Sequence, residues 1–150
     1  VDCDFLFKTD VNALFDLADP SKAVMVVKHD YDVDNGSTKM DGQVQHAYPR
    51  KNWSSCMLFN CDHDSNKALH PDMINIMDMI YLHRFSWLRD DEIGEISHTW
   101  NWLVGHYHEP QDGSPDAIHY TLGGPWFKEY QDVEYGDLWT QAKDEYYKSW

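Results

Sequence analysis

Two aspartates open the sequence, with Asp2 and Asp4 on either side of Cys3. The surrounding residues 1–7 are mainly apolar and predict a short strand, with both carboxylates at its end. Two hard oxygen ligands this close together suit Mg²⁺ or Mn²⁺, and either ion can also bind phosphate oxygens. Alternating acids are common on exposed strands as well, so the pair alone is weak evidence for a metal site.

A histidine far along the chain is the second chemical feature. His119 lies within the predicted strand of the segment AIHYTLGGPWF, ahead of a turn that contains Gly123, Gly124 and Trp126. The glycines would let backbone amides approach a ligand closely, while the proline and the tryptophan fix the turn and wall the site. The alternative is a core histidine whose hydrogen bonds are satisfied inside the protein.

Two further clusters of potential ligands are less convincing. Residues 30–41 carry alternating acids like a calcium loop, but Gly36 is one position late and Asp41 stands where a bidentate glutamate belongs. We therefore predict a solvated loop there. Residues 61–64, CDHD, together with Cys56 suggest zinc, but the spacing matches no standard zinc site. A buried free cysteine beside a strand is the better interpretation.

Composition limits the classes of partner. The chain has 150 residues, 42% of them hydrophobic and 15% aromatic, which favours one globular domain. Its 12 basic and 26 acidic residues give a formal charge of -14. Such a surface repels nucleic-acid phosphates and anionic membranes, so neither is an expected partner. It would also repel a nucleotide diphosphate unless a divalent cation neutralised the pyrophosphate locally.

Cysteine content and hydropathy predict the compartment. The three cysteines are an odd number without CxxC spacing, so we expect free thiols and a cytoplasmic protein. No apolar run in the sequence approaches the ~18 residues that a membrane-spanning helix needs, so we expect neither a membrane span nor a signal peptide.

Strand and helix patterns alternate along the chain, which predicts an α/β class. Apolar runs predict buried strands at residues 23–27 and 56–60, and a further strand is expected at 117–121. Apolar residues at spacings of three and four predict a helix over residues 66–83. Residues 135–147 are predicted to form a closing helix.

Four short motifs in this order resemble the GT-A glycosyltransferases. They are Asp2-Cys3-Asp4, residues 52–60 (NWSSCMLFN), residues 90–94 (DDEIG) and residues 118–126 from Ile-His-Tyr to Pro-Trp. The sequence is most similar to the retaining family that includes glycogenin and bacterial lipopolysaccharide galactosyl- and glucosyltransferases. The resemblance covers nearly the whole chain.

The resemblance implies a set of site residues. In that family the DxD aspartates and a distant histidine hold Mn²⁺, or Mg²⁺, against the pyrophosphate of the donor; here these residues are Asp2, Asp4 and His119. The remaining implied roles are catalysis or donor positioning for Asp90 and Asp91 and donor binding for Asn52, Ser54 and Ser55. From their residue types, Gly123 and Gly124 are expected to bind the donor through backbone amides, and Trp100 and Trp126 to stack on the acceptor. Asn101 and His106 are further candidates for contact with the acceptor.

Two positions depart from the family pattern. The sugar-contacting asparagine of the family aligns with Trp53, although Asn52 is adjacent. The phosphate-binding lysine before Pro-Trp is replaced by Gly124, in a loop one residue shorter. Asp90 and Asp91 also have a simpler interpretation, as a helix N-cap followed by an acidic first turn.

The resemblance implies hexosyl transfer from a nucleotide sugar, with UDP-hexose as the expected donor, to a glycan or other hydroxyl acceptor, with retention. The sequence begins abruptly at the DxD motif, so we expect it to be the C-terminal part of the fold without the first nucleotide-binding strands. Two alternatives remain open: a non-catalytic calcium- or carbohydrate-binding module built on residues 30–41 and the tryptophans, and a metal-dependent hydrolase using the same ligands.

Overall fold

The computed structural model describes residues 1–30 and 48–150 of the chain. Within these two ranges the strands form two small three-stranded sheets, connected by short helices and 3-10 turns. The strands are β1 (Phe5–Phe7), β2 (Val24–Val26), β3 (Met57–Phe59), β4 (Ile93–Glu95), β5 (Trp102–Leu103) and β6 (Ala117–His119). The α-helices are α1 (Val11–Phe15), α2 (Pro71–Ile74), α3 (Met79–His83) and α4 (Gly136–Lys148). The mixture of helices and strands agrees with the predicted α/β class, while the GT-A assignment stays a prediction.

The first sheet has the strand order β1-β6-β5. Strand β1 runs antiparallel to β6, and β5 runs parallel to β6. The register sets Phe5 opposite His119, so the chain just before β1 lies beside the end of β6. Asp2 and Asp4 therefore precede a strand, whereas the sequence pattern predicted that they end one.

The second sheet has the strand order β3-β2-β4 and contains both strands predicted at residues 23–27 and 56–60. Strand β3 is only partly buried, with Phe59 exposed, so the predicted burial of residues 56–60 is wrong for this part. All three residues of β2 are buried, which explains why its sequence is continuously apolar instead of alternating. Strand β3 pairs with β2 antiparallel and β4 pairs with β2 parallel. The end of β2, the end of β4 and the start of β3 consequently share one edge of this sheet.

One hydrophobic cluster joins the two sheets and so fixes their relative position. It combines Met25 of β2, Cys56 before β3 and Ala117 of β6 with the ring of Trp100. Burying a large apolar side chain contributes about 1.5–3 kcal/mol each. The packing of this cluster holds the His119 end of the first sheet against the segment that leads into β3.

The prediction of one continuous helix over residues 66–83 is wrong. A 3-10 turn at Asp64–Ala68 is followed by α2 and α3 as separate short helices. Pro71 at the start of α2 lacks an amide hydrogen and pushes the preceding residue out of helical geometry. Asp78 then caps α3, accepting from the backbone amide of Ile80 at 2.7 Å, and separates the two helices.

The closing helix is confirmed and is shifted by one residue, to Gly136–Lys148. None of the helices in the described ranges has the length and apolar character needed to cross a bilayer.

Candidate metal centre

Backbone hydrogen bonds hold the two early aspartates from both sides. The amide of Asp2 donates to the carbonyl of Ser55 at 2.9 Å, which ties it to the segment before β3. The carbonyl of Asp4 accepts from the amide of Tyr120 at 3.0 Å, which extends the β1–β6 pairing by one residue. The acidic segment is thus fixed between the two sheets.

His119 approaches the acids from β6. Its side chain is buried, and the ring of Phe5 stacks on it with centroids 4.4 Å apart. Its Nε2 atom lies 3.4 Å from an Oδ1 oxygen of Asp4. The histidine therefore presents one ring nitrogen toward the acids, in an orientation that the stacked ring helps to maintain.

The three side chains predicted as metal ligands come together in space. Asp2, Asp4 and His119 each offer one ligand atom, and these atoms all lie within 4.8 Å of one another. Two carboxylate oxygens and an imidazole nitrogen are a donor set that Mn²⁺, Mg²⁺ or a similar divalent ion accepts. Elsewhere in residues 1–30 and 48–150, no group of three His, Cys, Asp or Glu side chains meets this spacing.

The electrostatics of the cluster favour an added positive charge. The pKa of Asp2 is raised, chiefly by partial burial of its carboxyl and further by repulsion from Asp4, while His119 opposes the rise. A carboxylate with a raised pKa is less stable in its charged form than it would be in water. A divalent cation between the two acids would remove that penalty.

A buried polar network that the sequence patterns did not reveal surrounds His119. Asn101 is fully buried, and its Oδ1 atom lies 2.9 Å from Nδ1 of His119. Its Nδ2 atom donates to the hydroxyl of Ser55 at 2.8 Å and, more weakly, toward the carbonyl of Asn52 at 3.4 Å. The expected contact of Asn101 with an acceptor is therefore wrong, because the side chain points into the protein.

Two of the predicted donor-binding residues before β3, Ser54 and Ser55, occupy different environments. Ser55 is buried, and its hydroxyl donates to the carbonyl of Asn52 at 2.6 Å, so it supports the site from within and does not face a ligand. Ser54 is partly exposed, with its hydroxyl 2.7 Å from Nδ1 of His83. That histidine also lowers the pKa of Asp2, so Ser54 borders the cluster and its donor contact stays a prediction.

Asp90 and Asp91 are not part of the cluster. Asp90 forms an ion pair with Arg50, and Asp91 pairs with Arg89, with Nε and Oδ1 3.0 Å apart. The carbonyl of Asp91 also accepts from Lys22, at the edge of the second sheet where β2 and β4 begin.

The contact between Asp2 and Ser55 lies at the opposite edge, where β2 ends and β3 begins. The structure therefore does not bring the two predicted catalytic carboxylates beside the three ligands. Asp90 and Asp91 form a 3-10 turn with Glu92, whose carboxylate accepts from the amide of Arg89. The acidic first turn of the simpler interpretation is present, but the N-cap is Arg89 and not Asp90.

The Gly-Gly turn after β6 is explained mainly by packing. The amide of Gly123 already donates to the carbonyl of Tyr120 at 2.9 Å, so it is not available to a donor phosphate. A Cβ atom on Gly124 would lie 2.1 Å from the indole ring of Trp126. The predicted donor contact of Gly123 is corrected accordingly, and Gly124 is required by the adjacent ring.

The two tryptophans predicted to contact the acceptor differ in exposure. Trp100 is 5% exposed and belongs to the cluster that joins the sheets, so its acceptor role is wrong. Trp126 is 40% exposed and contacts the rings of Tyr120 and Trp139. It retains a free face, and its acceptor contact stays a prediction.

The competing ligand clusters of the sequence have separate outcomes. Of the calcium-like loop, only Asp30 falls within the described residues, and the remainder lies outside them. Cys56 is buried as predicted, whereas Cys61 is exposed, and both are free thiols along with the exposed Cys3.

We expect two of the three cysteines to react with a thiol reagent in the native protein. Burial raises the pKa of the Cys56 thiol to about 11, so this side chain is both shielded and protonated at pH 8. Cys3 and Cys61 are exposed. Mass spectrometry after brief alkylation should find both labelled, with Cys56 labelled only in denaturant. Native labelling of Cys56 at the rate of Cys61 would contradict this packing.

Comparison with known proteins identifies a relative in Arabidopsis thaliana. The chain is 50% identical over 151 residues to "Protein CDI" of Arabidopsis thaliana, a match that takes in 99% of this chain. The chain spans 58% of the length of that relative. No family model matches the sequence, and no solved structure matches it.

Proposed function

We propose that this chain is part of a divalent-metal-dependent glycosyltransferase that moves a hexosyl group from a nucleotide sugar to a glycan or other hydroxyl acceptor. The observation that carries the proposal is the convergence of Asp2, Asp4 and His119, three residues from opposite ends of the sequence, within 4.8 Å. This is the arrangement that the resemblance to the retaining GT-A family requires of its metal ligands.

The chemistry of the three side chains suits the proposed reaction. Asp2 and Asp4 supply hard oxygen ligands, and His119 supplies a nitrogen ligand whose ring is held by Phe5 and Asn101. When bound there, Mn²⁺ or Mg²⁺ supplies the positive charge that stabilises a departing nucleoside diphosphate. The three side chains act by binding the ion and positioning it beside the donor.

The overall charge makes a cation at this site necessary for the proposed donor. A chain with a formal charge of -14 repels a diphosphate over most of its surface. UDP-hexose is the donor we propose, and its two phosphates would approach the protein favourably where a divalent ion offsets the acids. Ser54, beside the cluster, is the side chain that we assign to the donor on this edge.

The test is a screen of nucleotide sugars against the purified chain. We expect nucleoside diphosphate release that needs Mn²⁺ or Mg²⁺, stops with EDTA and rises with a glycan acceptor, with the glycosylated product seen by mass spectrometry. The Asp4→Asn variant is the matched negative control, because it removes the negative charge of one ligand and keeps the side-chain shape. Metal-dependent release to water alone, unchanged by any acceptor, would favour a hydrolase instead.

A further inference from the structure

The ring of His119 has two nitrogens, and only one of them can serve as a ligand beside the acids. The Nε2 atom faces Asp4 and the Nδ1 atom faces Asn101. A neutral imidazole carries its hydrogen on one nitrogen and a lone pair on the other. The site binds a cation through Nε2 only if the hydrogen resides on Nδ1, so something must select that tautomer.

A backbone carbonyl determines where each hydrogen in the network goes. The carbonyl of Asn52 can only accept, so the single hydroxyl hydrogen of Ser55 points to it across 2.6 Å. The Ser55 oxygen must then accept in its contact with Asn101, at 2.8 Å, which requires the amide nitrogen of Asn101 to face Ser55.

The direction of hydrogen-bond donation is also determined between Asn101 and the imidazole of His119. With its nitrogen turned to Ser55, Asn101 presents its Oδ1 atom to His119, and an amide oxygen can only accept. The Nδ1 atom of His119 therefore carries the hydrogen, and Nε2 presents its lone pair toward Asp4. All three side chains are buried, so water cannot substitute for the partners.

We infer that Asn101 is a positioning residue that sets the tautomer of His119 and so prepares Nε2 as a metal ligand. The same hydrogen-bond network also positions Asp2, because the backbone carbonyl of Ser55 accepts from the amide of Asp2. The buried side chain of Asn101 thereby connects the imidazole ligand to Ser55, the residue whose carbonyl holds the backbone of Asp2. The inference rests on the proposed metal site, but its first consequence concerns the metal-free protein.

The primary test is the tautomer of His119 in the metal-free chain, read from ¹⁵N chemical shifts of the neutral imidazole. The signal is assigned by its disappearance in the His119→Gln variant. We expect the Nδ1–H form in the wild-type chain. Substitution Asn101→Leu should move the population toward the Nε2–H form, which free histidine prefers in water. A wild-type ring found as Nε2–H would overturn the inference whether or not the chain transfers sugar.

The second readout is affinity for Mn²⁺ by calorimetry, where loss of such a supporting hydrogen bond typically costs 10–100-fold. We expect Asn101→Leu to fall in that range, and Asn101→Asp, which keeps an oxygen acceptor for Nδ1, to recover part of the loss. Unchanged tautomer and unchanged affinity in Asn101→Leu would refute the positioning role. Absence of Mn²⁺ binding by the wild-type chain would count against the proposed function, while the tautomer measurement still decides the inference.

Asn66→Leu is the matched control for general destabilisation. The Asn66 amide donates to the carbonyls of Ala23 and Asn60 and accepts from Trp87, so it too is held by several side-chain hydrogen bonds. It lies in the 3-10 turn Asp64–Ala68, beside the second sheet and outside the metal cluster. The control should lower the unfolding temperature and leave both the His119 tautomer and the Mn²⁺ affinity unchanged.

Discussion

Saturating Mn²⁺ is expected to raise the unfolding temperature of the wild-type chain by about 5–10 °C, and Asp4→Asn or His119→Gln should abolish the rise. An ion present at 100 times its dissociation constant stabilises the folded state by about 2.7 kcal/mol. For a domain of this size, each kcal/mol shifts the midpoint by roughly 2–4 °C. The measurement is a thermal melt with and without Mn²⁺, with EDTA restoring the metal-free midpoint.

The Asp2→Asn variant should give two effects of opposite sign. The pKa of Asp2 is raised in the folded chain, so the folded state binds this proton more tightly than the unfolded state does. The contribution of Asp2 to stability is therefore greatest below its unfolded pKa and is lost as the pH rises through the folded pKa. At neutral pH, Asp2→Asn should raise the midpoint of the metal-free chain and remove its response to Mn²⁺.

Asp10→Asn is the control for net charge. It changes the charge by the same unit near β1, and asparagine can replace aspartate as the cap of α1, where Asp10 accepts from the amide of Asn12. Its response to Mn²⁺ should equal that of the wild-type chain. If the ligand variants and Asp10→Asn respond equally, the ion is acting on surface charge and the three-residue site is refuted.

The parts of this fold that were predictable from sequence depend on short-range patterns. Strand β2 is recognisable because all its residues are apolar, and α4 because its composition suits a helix over many residues. The convergence of His119 with the two early acids has no local signature. It followed only from the resemblance in motif order, and the pairing of β1 with β6 accounts for it physically.

The errors have two physical sources. Apolar periodicity over residues 66–83 predicted one helix, but the backbone geometry of Pro71 outweighs the pattern. Trp100 was assigned to the acceptor by its chemistry and Ser55 to the donor by the resemblance, yet both are buried, because burial depends on how the two sheets meet and not on residue type. The buried role of Asn101 could not be predicted from the sequence, because asparagine is mostly exposed in folded proteins.

The turn after β6 provides the second large effect, because Gly124 and Trp126 occupy nearly the same space. A Cβ atom on residue 124 would lie 2.1–2.7 Å from three atoms of the indole, well inside contact distance. The ring is 40% exposed and can move outward, but only by losing its contacts with Tyr120 and Trp139, whose centroids are 5.7 and 5.3 Å away. Trp126 can therefore occupy this position only when residue 124 is glycine.

We expect Gly124→Ala to destabilise the chain by about 1–3 kcal/mol, the usual cost of overpacking, and to shift tryptophan fluorescence as Trp126 becomes more exposed. The effect should vanish when Trp126→Ala is made first, because the clash is then absent. Gly105→Ala is the comparison for backbone strain alone: its φ is +79° and a Cβ there would meet no atom within 4 Å. That variant should lose about 1–2 kcal/mol regardless of residue 126.

The Gly124→Ala variant also tests the acceptor role of Trp126 independently of the metal site. If its exposed face binds the acceptor, Gly124→Ala should raise the KM for the acceptor by displacing the ring, while the rise in unfolding temperature caused by Mn²⁺ stays at the wild-type value. The ligands Asp2, Asp4 and His119 belong to the β1–β6 edge, and the hydrogen bonds that hold them do not pass through residue 124. A loss of the Mn²⁺ response in Gly124→Ala would mean that a change in the turn also disturbs the metal site. A raised KM could not then be assigned to Trp126 alone.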